Sequence, residues 1–149
     1  MRILFIITLL LFTTGMTAEV NITEIRDVLK HVETNHNSEA LGDYNENGVP
    51  TSYGILQISK AAVDDVNRRY KTTYKHQDAF NIVCSEEIFK LYIEMWSERL
   101  ERVEGRKITD EDVVRIWNGG PNGYKRKSTL PYHQKYKYYH HLWINNNGL

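Results

Sequence analysis

Ile22, Ile25, Val28, Leu29 and Val32 recur at three- and four-residue spacing, the signature of a helix with one buried face. Asn21 and Glu24 stand where a capping box would open that helix, and Asn and Ser take over between Glu33 and Asn37, where it should fade. Gly42, Asp43, Asn45, Asn47, Gly48 and Pro50 then punctuate the chain, predicting a loop with room for a small hairpin. Ser59 can cap a second helix through Ala61, Val63 and Val66. A short helical turn is expected over Asp78–Val83. Ser85 is expected to open the longest helix, with Ile88, Leu91, Tyr92, Met95, Trp96 and Leu100 inward and Gly105 stopping it. Thr109 and Asp112 form another capping-box start, and Val113, Val114, Ile116 and Trp117 carry that helix to an Asn-Gly-Gly-Pro loop. Pro131 suits the first turn of a last, Tyr-rich helix, in which Tyr136, Tyr138 and Tyr139 read as core packing. The pattern predicts a mainly α domain, α+β in class, with any strand confined to the region before Ile58.

The first eighteen residues belong to a different pattern. Arg2, the apolar run Ile3–Phe12 and the small residues Thr13, Gly15, Thr17 and Ala18 read as a secretory signal, because the apolar core is too short to span a bilayer. Residues 19–149 are left as one domain of about 130 residues, long enough to bury a core unaided. The expected product is a secreted or periplasmic monomer with no stable membrane association once the signal is removed. Asn21-Ile22-Thr23 is a glycosylation sequon close to the cleavage region. The single cysteine, Cys84, excludes a disulfide framework and reads as a small core residue.

The chain's 19 basic and 19 acidic residues cancel, but unevenly. From Gly119 onward there are five Lys or Arg and no Asp or Glu. A basic carboxyl-terminal face suits a polyanion such as a bacterial cell wall; a solvated helix face explains it equally well.

Three further readings are weighed and set aside. Asp43–Gly48 opens like a calcium loop, but the closing Glu is missing, since Gly54 holds the twelfth position. His31, Glu33 and His36 lack the four-residue histidine spacing of a zinc helix. No phosphate loop, nucleophile elbow or nucleic-acid motif occurs, so no cofactor, metal or nucleic-acid partner is expected.

Glycoside cleavage needs an acid kept neutral near pH 7 by a partly apolar setting. Glu33 meets the positional requirement, following Val32 at the end of the buried stripe. Downstream come Gly42-Asp43 and then Tyr53-Gly54-Ile55-Leu56-Gln57-Ile58. This order resembles goose-type lysozymes, in which the acid precedes a Gly-Asp and a Gly-apolar-apolar-Gln segment. Ile116-Trp117-Asn118-Gly119-Gly120-Pro121 resembles the aromatic-Asn-Ala-Gly-Pro loop of soluble lytic transglycosylases, with Gly119 in place of Ala. Thr129, Tyr132, Lys135 and Tyr139 resemble the tail that follows it. The chain is thereby similar to the lysozyme-like superfamily over nearly all of residues 19–149.

The resemblance implies a lysozyme-like fold and a muramidase acting on peptidoglycan, with Glu33 as general acid and Asp43 as a base positioning water. It also implies substrate contacts from Tyr53, Gln57, Asn118, Tyr124 and Tyr132. Two departures stand out. The loop between Asp43 and Tyr53 is longer than the family's glycine loop, and Ser59 occupies the place of a second Asp. The alternatives are a lytic transglycosylase giving anhydro-sugar products, a chitin-cleaving enzyme, and a non-catalytic glycan-binding or inhibitor-like module that keeps the cleft.

Overall fold

The computed structural model describes residues 19–147; the predicted signal over 1–18 lies outside them. Helix α1 (Ile22–Thr34) leads into three short strands, β1 (Leu41–Tyr44), β2 (Pro50–Tyr53) and β3 (Ile58–Ser59). Then follow α2 (Lys60–Tyr70), a 3₁₀ turn (His76–Phe80), α3 (Ile82–Glu104) and α4 (Asp110–Gly119). Two more 3₁₀ turns, Gly123–Lys125 and Lys127–Thr129, lead to α5 (Leu130–Asn147). The architecture is mainly α with one small antiparallel sheet of order β1-β2-β3. Leu41 faces Tyr53, Tyr44 faces Pro50, and Tyr53 also faces Ile58.

The α1 stripe is buried as its spacing requires: Ile25, Val28, Leu29 and Val32 are all 2% exposed or less. These residues join Leu56, Ile58, Val66, Ile88, Phe89, Val113, Val114 and Ile116 in one core. Each such side chain contributes about 1.5–3 kcal/mol on leaving water. Helix α1 packs on α3, α4 and α5, while α2 lies on α3. Around the core, Glu86 on α3 pairs with Arg26 and Lys30 on α1, fixing the two helices against each other.

Caps set most helix limits. Asn21 accepts from the Glu24 N–H at 3.1 Å, as expected, but the Glu24 carboxylate takes the Asn21 side-chain amide and His140 of α5 instead of closing a capping box. Ser59 caps α2 by accepting from Ala62. The Thr109–Asp112 capping box is formed, and Arg106 donates to both Asp112 oxygens at 2.6 and 2.9 Å.

Several expectations are corrected. Helix α3 starts at Ile82, not Ser85, because Asn81 is as good a cap as Ser and its side chain accepts from the Cys84 N–H. Ile82 and Val83 remain exposed, so the apolar stripe gave no sign of that first turn. Cys84 is half-buried instead of a core residue. The short turn expected over Asp78–Val83 lies at His76–Phe80. The sheet continues two residues beyond its expected end, because Ile58 and Ser59 pair with β2. Tyr136 is buried and Tyr139 packs on the core, but Tyr138 is 62% exposed.

Candidate functional site

Glu33 lies in the last turn of α1. Helix α1 stops at Thr34, where Asn35 turns into the left-handed region (φ 52°) and its N–H closes on the His31 carbonyl. Thr34 Oγ1 donates to the Ile55 carbonyl at 3.0 Å, fastening the end of α1 to the loop after β2. On the other side Lys135 Nζ donates to the Val32 carbonyl at 2.6 Å, fastening it to α5. The residue between these two anchors is Glu33.

Its carboxylate accepts a short hydrogen bond from the Tyr132 hydroxyl of α5. The Trp117 indole of α4 is near enough to favour the charged form, as is the Lys135 ammonium. Burial outweighs all three. With some help from the negative charge of Asp43, it raises the Glu33 carboxyl from its ordinary 4.5 to about 7. The phenol of Tyr132 is raised well above its ordinary value, chiefly by burial and then by the Glu33 charge and bond. Tyr132 therefore remains a hydrogen-bond donor across the physiological range.

The structure thus brings Glu33 and Tyr132 into contact and places Asp43 within electrostatic reach. Asp43 is an exposed β1 residue in the left-handed region (φ 49°), and its carbonyl accepts from Thr51. Asn118 is exposed within α4, one residue before its end. It is not the left-handed cap: Gly120 holds the positive φ of 75°. Tyr53 stacks on His76 at 3.9 Å between ring centroids and on Phe80 at 5.0 Å. Tyr124 sits apart from this group, its hydroxyl donating to Glu104 at the end of α3.

Gln57, expected as a sugar contact, makes internal hydrogen bonds. Its amide oxygen accepts from Ser52 at 2.8 Å, and its nitrogen donates to the Gly54 and Ala40 carbonyls at 3.0 and 3.3 Å. A Cβ on Gly42 would come within 2.0 Å of that amide oxygen. The Gly-Asp and Gly-x-x-Gln motifs are therefore parts of one internal clasp, in which Gly42 leaves space for Gln57 to join β1, β2 and the following loop. The Asn-Gly-Gly-Pro loop is also packed by its glycines. A Cβ on Gly119 would meet the Thr129 methyl at 2.5 Å, and one on Gly123 the Arg115 carbonyl at 1.9 Å.

Sequence reasoning passed over Trp117 and Lys135 as contributors to the Glu33 environment. Trp117 was placed only on the apolar run of α4, and it makes edge contacts with Phe89 and Tyr92; nothing in its spacing showed that it also lies beside the acid. The Asn45 side chain accepts from the Asn47 and Val49 N–H groups, so this segment is an Asn-built turn. Among the described residues, no group of three or more His, Cys, Asp or Glu is placed to hold a metal ion. Among them, too, no helix is long and apolar enough to cross a membrane.

No protein-family model matches the chain. No curated protein matches it either. Among solved structures, it matches a chain of the crystal structure of Aeromonas hydrophila PliI in complex with Meretrix lusoria lysozyme. That match has a TM-score of 0.62 and 21% identity, and spans 78% of this chain and 88% of that one. On this finding the expectation of a glycoside-cleaving enzyme is withdrawn: the matched structure holds PliI in complex with a lysozyme, and a likeness at 21% identity shows a fold and no catalytic activity. The muramidase, glycosidase and lytic transglycosylase assignments are withdrawn with it. Ser59, where the resemblance expects a second carboxylate, is occupied in capping α2.

Proposed function

We propose that the chain is a non-enzymatic binding module of the lysozyme and cell-wall system, related in fold to the lysozyme-like superfamily. Its ligand is an amino-sugar glycan of the peptidoglycan type, held at the corner where α1, α4 and α5 meet. The observation that carries this reading is the Glu33 carboxyl, anchored on both sides and raised to about 7. Near neutral pH such a group both donates and accepts, the dual capacity that sugar hydroxyls and acetamides require. The Trp117 indole and the Tyr132 hydroxyl lie beside it, and Asn118 supplies an exposed amide. Removal of the predicted signal would deliver the module outside the cytoplasmic membrane, where such glycans occur.

A second reading is favoured by the solved match: the chain binds a lysozyme, as PliI does in that complex. One set of experiments separates the two. Co-sedimentation with insoluble peptidoglycan, lost on Trp117→Ala, supports glycan binding. Slower clearing of cell walls by an added lysozyme, without co-sedimentation, supports the second reading. Neither effect would leave the module without its proposed role.

A further inference from the structure

Away from the Glu33 corner, the chain preceding α1, the outer face of α3 and the α3–α4 connection enclose an open groove of about 1220 Å³. This exceeds the roughly 300–1,000 Å³ of a small-molecule pocket and suits a peptide segment. Val20, Ile22, Ile93 and Ile108 give it an apolar lining. Carboxylates dominate the rest: Glu19, Glu94, Glu98, Glu101, Asp110 and Glu111 stand against two lysines, in a chain whose formal net charge is zero.

Part of that acidity is answered within the fold. Glu98 pairs with Arg69, Glu101 with Lys107 and Glu111 with Arg115. Glu19, Glu94 and Asp110 make no ion pair among the described residues and are exposed, against one unpaired exposed lysine, Lys90. The groove therefore combines an apolar lining with unanswered negative charge.

We propose that this groove docks a cationic amphipathic helix of a partner protein. Apolar side chains at helical spacing would cover Val20, Ile22 and Ile108, while Lys or Arg on the flanks approach Glu94 and Asp110. This is the helix-in-groove mode of recognition, with charge complementarity setting orientation and partner choice. Other occupants match less of the groove. The predicted signal has the apolar residues for the lining, but Arg2 is its only charge. The basic stretch Lys125–Lys127 of a second copy has no apolar face, and its Lys125 is paired with Glu104 at 2.6 Å. The inference is independent of the glycan reading, since the groove shares no residue with the Glu33 corner.

The test uses the full chain and two labelled synthetic peptides of equal charge. One places Leu and Lys at amphipathic helical spacing; the other scrambles them. Fluorescence anisotropy should show the amphipathic peptide binding at least about tenfold more tightly than its scramble, and weakening as salt screens the carboxylates. Glu94→Lys with Asp110→Lys should weaken it by about tenfold or more through like-charge repulsion, with the helical content unchanged. Equal binding of both peptides would overturn the proposal, leaving only diffuse electrostatics. So would binding that ignores the charge reversals. Absence of peptide binding would also overturn it, and sedimentation showing concentration-dependent self-association would then identify a second copy as the occupant. If the double variant misfolds, the contrast between the two peptides on the wild-type chain still decides.

Discussion

Glu33 owes its protonation behaviour to burial and to neighbours on α4, α5 and β1, and that makes it separable by titration. Burial raises its carboxyl to about 7, while the Tyr132 hydroxyl, Lys135 and Trp117 pull the other way. A carbon-detected NMR titration should give a Glu33 midpoint near 7; a midpoint near 4.5 would remove the buried-acid description. Tyr132→Phe deletes a bond that favours the charged form, so the midpoint should rise further. The same shift has a stability consequence. A carboxyl whose folded value exceeds its unfolded value retains its proton longer in the folded state. Its stabilising contribution is complete below about pH 4.5 and declines as pH rises to about 7. Above that range the folded protein holds a buried carboxylate. Glu33→Gln should then be more stable than wild type by on the order of 1–3 kcal/mol at pH 8, with no such gain at pH 4. Urea denaturation at the two pH values measures this directly.

At the scale of elements, glycines distinguish strain from crowding. Gly54 combines a φ of +75° with a position where a Cβ would lie 1.9 Å from the Ala79 carbonyl. Gly48 has a φ of +72° and nothing within 4 Å of its would-be Cβ. Gly48→Ala should cost about 1–2 kcal/mol for the left-handed backbone alone. Gly54→Ala should cost about 2–4 kcal/mol, because a backbone clash is added. Equal melting temperatures for the two variants would show that the loop before β3 yields to the 3₁₀ turn beneath it.

The same elements show what was legible in the sequence. Helices α1 and α4 were readable because apolar spacing and caps agree in both, down to Asn21 and the Thr109–Asp112 pair. The start of α3 was not, since Ile82 and Val83 are exposed and Asn81 took the cap. Of the candidate site, Glu33 and Tyr132 were singled out on residue type and order, and the structure brings them into contact although 99 residues separate them. The internal bonds of Gln57 were not legible, because an amide suited to a sugar is equally suited to the carbonyls of Ala40 and Gly54. Only the register of β1 with β2, which brings Gly42 opposite Ser52, reveals that clasp. The resemblance behind the enzymatic expectation rested on such motifs, and several of them prove to be packing devices.

For the whole molecule, the central claim is the proposal that the corner around Glu33 holds glycan without cutting it. The most direct measurement incubates purified, insoluble peptidoglycan with the wild-type chain and with Glu33→Gln. Protein in the pellet, turbidity of the suspension and sugars released into solution are followed together. The account predicts that wild type sediments with the walls, that turbidity stays constant, and that neither new reducing ends nor anhydro-sugars appear with either protein. Clearing of the walls by wild type that is lost in Glu33→Gln would contradict it, making Glu33 a catalytic acid.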